Sequence, residues 1–579
     1  MLRKHQAELQ TIAMDIRMGK PVRSIGAYVT PGGGKSAFGM ILAKHLAEPL
    51  NWKICWVVPQ LALKIQGEND FADSRKRALF GHNSLIRAAG NDVRPSRDSI
   101  GYVTTYQAIT QNPKLHEDEF RLRPYILILD ECHHVPFQGE SSDSERAYYY
   151  AVEPLVKLAK LTVFASGTLE RHDGQKIAFW PYERTVNAET PRTDPDADDP
   201  SWAFIRYRRG DALEERAIVP LHFYAMDGRA RWFDPKTNEE RDVDSMAGSS
   251  KGDQSKVLSV VLETAYALQL IGKCAENWQD HKATSYRDAK MLVIAPNIAT
   301  AKKYSKHLRN MGLEPLIATS EDSERARSNI ARFKRDGQAL VTVGMAYEGL
   351  DVPQITHIAC LTNIRSRPWI EQCVCRANRT AQGKTHGFIY YPDDPRMHSI
   401  MSAIEAEQAA VVVTWPKEKG TGGVDRGGEM TFITPLDSAI TKSRGIGLED
   451  GTRTSYDETA AIEAAMEKHG IKGASVVQMK QILVTLGAGV MPNGDTPKPD
   501  FTKPIIPPSQ QETNYRASID NAIGRIAHNL SRGERQAMID HKININRMIK
   551  QKWGERNQCT VDQLRQITVW LEERYGDLS

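Results

Sequence analysis

The sequence predicts an α/β fold: two tandem doubly wound parallel-sheet domains followed by a mainly α-helical C-terminal region. Three observations carry that expectation. Short apolar runs alternate with helix-prone stretches and end in polar residues, the pattern of parallel strands whose C-terminal ends face a ligand. A glycine turn, Thr30-Pro31-Gly32-Gly33-Gly34-Lys35-Ser36, joins an apolar run to a helix-prone one. From about residue 511 onward the apolar spacing is helical.

The 579 residues suffice for three or four domains, and 40% hydrophobic with 26% charged residues is ordinary for a globular protein. A net charge of +4 is small for this length, so any nucleic-acid contact has to come from local patches. The cysteines (Cys55, Cys132, Cys274, Cys360, Cys373, Cys375, Cys559) contain no Cys-x-x-Cys pair. That speaks against a zinc ribbon or a disulfide framework and fits a reducing, cytoplasmic setting. The start, Met-Leu-Arg-Lys-His-Gln, has no apolar signal core, and no apolar run approaches membrane-spanning length, so no membrane contact is expected.

Residues 2 to 16 have helical periodicity, with Leu2, Leu9, Ile12, Ala13 and Ile16 on one face. Arg3 and Gln6 lie off that face, three apart, and can act together. Ile25 to Val29 reads as a strand and Ala37 to Ala47 as a helix. Strand, glycine turn, Lys-Ser and helix form a phosphate-binding layout, although Val29 stands where a Gly or Ala is usual. Pro31, Gly32, Gly33 and Gly34 would cradle the phosphates, with the helix N-terminus adding positive charge. Lys35 would reach the β- and γ-phosphates of ATP, and the Ser36 hydroxyl would ligate Mg²⁺. Further strands are expected at Ile54 to Val58, Ile100 to Thr104, Tyr125 to Leu129 and Leu161 to Ala165. The third ends in Asp130-Glu131-Cys132-His133. Asp130 can hold Mg²⁺, and Glu131 can orient and deprotonate an attacking water. The fourth ends in Ser166-Gly167-Thr168.

Gly-Lys-Ser, Asp-Glu-Cys-His and Ser-Gly-Thr together resemble the first motor domain of a superfamily 2 DExH-box helicase, of the restriction and repair branch. The resemblance continues downstream over about residues 1 to 395. Met291 to Leu308 is similar to the family's fourth motif. Leu340-Val341-Thr342-Val343-Gly344-Met345-Ala346-Tyr347-Glu348-Gly349-Leu350-Asp351-Val352-Pro353 is similar to its fifth. Glu371-Gln372-Cys373-Val374-Cys375-Arg376-Ala377-Asn378-Arg379 is similar to its sixth, with Cys375 in place of the usual Gly. The resemblance implies two RecA-like domains using ATP and Mg²⁺. It makes Arg3 and Gln6 the adenine-reading element, puts Gly349 and Asp351 at the nucleotide, and makes Arg376 and Arg379, with Gln372, the groups a second domain adds across it. It also implies nucleic-acid contacts at Pro59, Gln60, Thr105, Thr168, Thr319 and Thr342, with Ser166 and Thr168 coupling that track to the nucleotide. An arginine supplied by the second domain would make hydrolysis depend on domain closure.

The motor domains are expected at 1–205 and 206–395. Leu221 to Met226, Asp227-Gly228 and Arg229 to Phe233 carry a hairpin signal. It is compatible with an edge hairpin of the second motor or with a strand-separating pin that stacks Trp232 or Phe233 on bases. Helices are expected at Val257 to Trp278, Glu324 to Asp336 and Met397 to Val413, and a last strand at Phe388 to Tyr391. Arg171, His172 and Asp173 are expected in a loop near the nucleic acid. Residues 396–510 read as a linker with short helices near 456–469 and 474–486 and a Pro-rich extended stretch from 492 to 508. The tail, 511–579, reads as helices at Glu512 to Asn529, Ser531 to Trp553 and Val561 to Tyr575, the last capped by Thr560 with Gln563. Between 525 and 556, Arg525, Arg532, Arg535, Lys542, Arg547, Lys550, Lys552 and Arg556 outnumber Glu534, Asp540 and Glu555. That excess fits a nucleic-acid-binding module or the solvated face of a bundle, and the helices are also a candidate surface for a protein partner. The expected function is an ATP-dependent helicase or translocase acting on nucleic acid, DNA before RNA. The alternatives are an RNA helicase and an ATPase switch that gates a partner.

Overall fold

The computed structural model describes residues 2–137, 143–171, 175–185, 188–196, 198–235, 237–344, 350–409, 434–446, 505–532 and 534–576. The expected elements at 456–469, 474–486 and most of 492–508 lie outside these, as do Gly349 of the fifth motif and His172 and Asp173.

The first sheet has seven parallel strands: β1 Ser24–Val29, β2 Lys53–Val58, β3 Ile86–Ala88, β4 Gly101–Thr105, β5 Tyr125–Asp130, β6 Leu161–Ser166 and, after a small hairpin (β7 Tyr182–Thr185, β8 Ala188–Pro191), β9 Trp202–Tyr207. Their order is β3-β4-β2-β5-β6-β1-β9. The inner strands are near-continuous Val, Ile and Leu because helices cover both faces. Ile126, Leu127, Ile128 and Leu129 of β5 are all buried. Because β6 lies between β5 and β1, the chain segments that leave these three strands emerge side by side. Tyr28 is in register with Ser166, and Asp130 with Ala165. Two strands carried too little signal in sequence: β3, three residues long, and β9, which takes the first sheet two residues past the expected boundary at 205.

The second sheet is built from β10 Leu221–Asp234, β11 Glu239–Val243, β12 Lys290–Ile294, β13 Pro315–Ala318, β14 Ala339–Thr342, β15 Ile355–Cys360, β16 Gly387–Pro392 and β17 Thr434–Ile446. The order is β11-β10-β16-β15-β12-β14-β13, with β17 antiparallel along the other side of β10. The strand β17 corrects the expectation of only linker and helices in 396–510.

The expected hairpin at Asp227-Gly228 is not formed, since β10 runs straight through it for 14 residues. Gly228 is needed for close approach and not for a turn: a Cβ there would fall 2.6 Å from the Ala439 carbonyl and 2.7 Å from the Tyr266 ring. The strand is irregular against β17 at this point, and the Asp227 carboxylate accepts from Gly228 N–H, Ala247 N–H and the Ser245 hydroxyl. Trp232 is buried, which excludes it as a base-stacking pin. The helix expected at Val257 to Trp278 is two, Gln254–Glu263 and Ala265–Thr284, bent by 66°. At the break the Thr264 hydroxyl donates to the Val260 carbonyl, a local bond that competes with the helical ladder. Among the described residues no single helix is long and apolar enough to cross a membrane.

The tail helices Pro508–Ser531, Arg535–Trp553 and Val561–Tyr575 pack around Ile519, Ile523, Ile526, Ile545, Ile549, Leu564, Ile567 and Leu571. Thr560 and Gln563 form the expected capping box. The module is fastened to the domain of the first sheet. Glu512, 1% exposed, accepts from Arg87 Nε (2.8 Å) and Nη2 (3.0 Å), Arg97 Nε (3.2 Å) and Nη2 (2.7 Å), and Arg516 Nη2 (2.9 Å). Ser509 N–H donates to Glu68, and Val561 N–H to Asp98. Arg87 lies on β3, and Glu68 on the helix Leu61–Ala72 that begins directly after Gln60.

Candidate functional site

The glycine turn leaves β1 and folds as expected. Gly32 and Gly34 adopt φ of +83° and +94°, a region open to glycine at little cost. A Cβ on Gly34 would lie 2.8 Å from the Arg3 guanidinium, so the N-terminal helix seats directly on the loop. Arg3 Nη1 donates to the Gly33 carbonyl (2.5 Å), and Gln6 Nε2 to the Gly34 carbonyl (3.3 Å). Gln6 Oε1 also accepts from Arg3 N–H (3.0 Å), which joins the two residues as one unit. Between them His5 is buried against the Tyr207 ring.

Lys35 Nζ contacts Glu131 Oε1 at 2.6 Å. Glu131 sits in left-handed backbone at φ +49°, which turns its carboxylate back toward the loop, and its Oε2 accepts from Gly167 N–H (3.2 Å). Burial by itself would raise the Glu131 carboxyl, but the ammonium of Lys35 outweighs it and holds the group down at about 2. Burial pushes the neighbouring Asp130 up to about 6, against the pull of Lys35. Its Oδ1 accepts from Glu131 N–H, and its backbone carbonyl from the Tyr106 hydroxyl.

Behind the acids, His133 Nδ1 lies 2.9 Å from Ser166 Oγ and 3.4 Å from Glu131 Oε2. The Ser166 hydroxyl gives its proton to the Thr168 carbonyl (2.5 Å) and accepts from Thr168 N–H, so it accepts from His133 as well, which places the imidazole proton on Nδ1. Burial lowers the His133 pKa well below its ordinary value and keeps it neutral. His133 therefore links the carboxylates to the Ser-Gly-Thr segment. Arg171, expected in a loop near the nucleic acid, is buried and donates to the His133 carbonyl.

From the second domain, the segment after the helix Arg367–Val374 reaches the loop. Asn378 Nδ2 donates to the Pro31 carbonyl (3.4 Å), and a Cβ on Gly32 would meet Asn378 Oδ1 at 3.1 Å and Ile218 Cγ2 at 3.2 Å. Arg376 Nη1 donates to the Leu350 carbonyl (3.1 Å), and Arg379 forms an ion pair with Asp351 of its own domain. Burial lowers Arg379 to about 10, which leaves it charged at neutral pH. Gln372 is buried one turn earlier. Cys375 has ordinary right-handed backbone (φ −66°), so no glycine is required there. Its thiol accepts from Arg209 Nη2 at 3.1 Å, and the same nitrogen pairs with Glu371 Oε1 at 3.2 Å. Thus the structure brings Arg3, Gln6, Pro31 to Ser36, Asp130, Glu131, Ser166 and the Asn378 segment to one place.

The six residues assigned to nucleic acid all sit at the C-terminal ends of strands or just beyond. Thr105 is in register with Val58, next to Pro59 and Gln60, and Thr342 is in register with Ala318, next to Thr319. Their hydroxyls are partly committed. Thr105 Oγ1 caps the helix Tyr106–Gln111, and Thr168 Oγ1 accepts from Glu170 N–H. Thr342, 2% exposed, donates into its own domain at Ala318 and Val343, so its side chain does not face outward as expected. Sequence reasoning missed His133 as a link, Asn378, Arg209 and Glu512. His133 was within reach, since it closes the Asp-Glu-Cys-His motif. Nothing local marks the other three.

Two RecA-like sheets, with the glycine loop of the first in contact with Asn378 of the second domain, define the fold class. The chain is similar to superfamily 2 helicase-like proteins. Residues 1–171 match the family model described as "Type III restriction enzyme, res subunit". An uncharacterized protein of Mycobacterium tuberculosis (strain CDC 1551 / Oshkosh) is 26% identical over 403 residues, 68% of this chain and 62% of the relative, so the chain spans somewhat under two thirds of that relative's length. The ATP-dependent DNA helicase uvsW of Enterobacteria phage T4 is 32% identical over 103 residues, 17% of this chain and 19% of the relative. Among solved structures, the DNA-bound Type ISP restriction-modification enzyme LlaBIII is similar, with a TM-score of 0.44 and 15% identity over 67% of this chain and 27% of that one.

Members of this superfamily generally use ATP with Mg²⁺. The residues present fit both. The two left-handed glycines leave backbone N–H groups free of Cβ obstruction, Lys35 is largely buried at the loop's end, and Asp130 and Glu131 lie within its field.

Proposed function

We propose that the chain is an ATP-driven motor on nucleic acid, a helicase or translocase that hydrolyses ATP between its two RecA-like domains and favours DNA over RNA. The observation that supports this reading is the contact of Asn378, which stands between Arg376 and Arg379 in the sequence, with Pro31 of the phosphate loop. The main-chain N–H groups of the turn after Pro31 hold the phosphates, and Arg3 and Gln6 read the adenine. Ser36 and Asp130 would hold Mg²⁺, which supplies neutralisation of the phosphate charge. Lys35 and Glu131 hold each other in this structure. A phosphate that draws Lys35 away leaves the Glu131 carboxylate free to orient and deprotonate water. Arg379 is likewise held by Asp351, and Arg376, Arg379 and Gln372 meet the charge that develops on the transferred phosphoryl group. The family resemblance assigns Gly349 and Asp351 to the nucleotide as well.

Ser166, bonded to His133, and Thr168, bonded to Ser166, carry the state of the acids to a strand track formed by Pro59, Gln60, Thr105 and Thr168 in one domain and Thr319 and Thr342 in the other. Main-chain groups at strand ends grip phosphates without reading bases, and Thr342 acts through its backbone. Preference for DNA rests on the likeness of the N-terminal Leu-Arg-Lys-His-Gln and of Glu-Gly-Leu-Asp-Val-Pro to restriction and repair translocases, with the res-subunit match and the likeness to uvsW in the same direction. ATPase stimulation by single-stranded DNA, duplex DNA and RNA, compared at one salt concentration, tests it. Stronger stimulation by RNA overturns the DNA assignment. Full stimulated turnover in Glu131→Gln overturns the catalytic one.

A further inference from the structure

We propose that Asn378 is a positioning residue that ties phosphate-loop occupancy to closure of the two motor domains; the inference rests on the reading of the cleft as an ATP site. Asn378 is 0% exposed and stands between Arg376 and Arg379, at a position the Gln-x-x-Gly-Arg-x-x-Arg pattern leaves open. It makes attachments in two directions. Its amide Nδ2 donates to the Pro31 carbonyl across the domain boundary. Its backbone carbonyl accepts from Val219 N–H at 2.7 Å, in the connector between the two sheets. The connector is also paired to the next residue through the Ile218–Arg379 bridge. Its other side-chain polar atom, Oδ1, is buried beside Gly32 without a hydrogen-bond partner among the described residues.

A buried amide with one unused acceptor at a domain boundary is an unfinished contact, and leaving such a group unpaired is costly. Oδ1 lies 3.1 Å from where a Cβ on Gly32 would stand, so the backbone N–H groups of the loop are candidate donors. Settling of the loop around a phosphate can therefore complete the pairing of Asn378. The same residue then fixes the connector and holds Arg379 at its place. One side chain thus reports the loop to the hinge and to the arginine that must act across it. Because closure and nucleotide binding share this contact, each favours the other.

The test uses the full chain and measures KM for ATP and kcat with saturating single-stranded DNA. Asn378→Ser and Asn378→Ala are both too short to reach Pro31, and a thermal melt shows which of them folds as the parent does. Expected is a rise in KM of about tenfold, the size of one buried hydrogen bond, with kcat changed less than about threefold. Asn378→Asp places an anion against a carbonyl oxygen. Its KM should be higher than that of the Ala variant at pH 7.5 and fall toward the parent value near pH 5.5, as the carboxyl becomes protonated and donates. A merely structural residue would lower the melting temperature and the specific activity together, with KM and its pH profile unmoved; that result overturns the proposal. If the parent chain hydrolyses no ATP, the ATP-motor reading fails and this inference with it. If the parent hydrolyses ATP and the folded variants keep its KM, only this inference fails.

Discussion

Two carboxylates, the partly buried Glu131 of the first RecA-like domain and the buried Glu512 of its attached tail, meet cations in opposite ways. Glu131 has Lys35 as its one fixed cation among the described residues, a backbone N–H from Gly167 and a neutral histidine, and 19% of its side chain is open to solvent. Glu512 has five guanidinium hydrogen bonds from three arginines and is 1% exposed. The first pair can be broken by any competing anion that enters the loop, because Lys35 then exchanges one negative partner for another. The second cannot be traded, since no single ligand replaces three arginines at once. The same chemistry therefore serves as a releasable latch in the cleft and as a permanent rivet at the edge of the sheet. The number of partners decides which.

One substitution made at both places separates the two. Glu131→Gln keeps shape and loses charge, and its cost should fall on turnover: a drop of about 10²- to 10⁴-fold in stimulated ATPase rate, the usual worth of a positioned general base, with the melting temperature little changed. The reverse is expected of Glu512→Gln. It leaves Arg87 and Arg97 buried with a neutral partner, which costs about 3–5 kcal/mol in comparable buried pairs. Turnover per folded molecule should hold while the tail detaches, visible as early proteolysis between the motor and residues 505–532. A melting curve for Glu512→Gln that overlays the parent would mean the rivet is ornamental and the comparison wrong.

Acid sharpens it further. The arginines hold the Glu512 carboxyl below its ordinary value of 4.5, against burial, which would raise it. A carboxyl with a depressed folded-state pKa contributes stability that is present above the unfolded value and lost as pH falls through the folded one. Tail docking should thus be constant from neutrality down to about pH 4.5 and loosen below it. Proteolysis of the parent at pH 7, 5 and 3.5 checks the window. The same series on Glu512→Gln should show a tail already loose at pH 7.

What could be seen in sequence follows the range of the interactions. The loop, the acids after β5 and Ser-Gly-Thr after β6 each sit at the end of one apolar run, and a parallel sheet brings strand ends together whatever the details. Glu512 looked like an ordinary helix-start acid; its partners lie 425 and 415 residues away. Asn378 occupied an unconstrained motif position, and its meaning depends on a contact 347 residues upstream. Asp227-Gly228 misled for a different reason. Glycine before a strand-like run signals a turn or a close backbone approach equally well, and only packing against Ala439 and Tyr266 selects the second. The bend at Thr264 had no Gly or Pro to announce it, because the apolar periodicity continues through both helices.

The smallest expected effect concerns what the rivet holds. If the tail is fixed to the first motor, its cations are carried with the strand track, and their contribution to nucleic-acid affinity should be independent of nucleotide state. Arg547 and Lys552 are exposed on the helix Arg535–Trp553, and Lys552 Nζ lies 4.5 Å from the centre of the Trp553 ring. Removing one cation that neutralises a phosphate of a single strand lowers the slope of log affinity against log salt by about 0.7. Arg547→Ala with Lys552→Ala should therefore reduce that slope by about 1.4 if both touch the strand, equally with and without ATP. Full removal of residues 430–579 is a poorer experiment, because it would also strip β17 from the second sheet and expose β10 as an edge. A slope unchanged in the double variant makes this helix a solvated face, and the rivet then fixes a module with some task other than gripping nucleic acid.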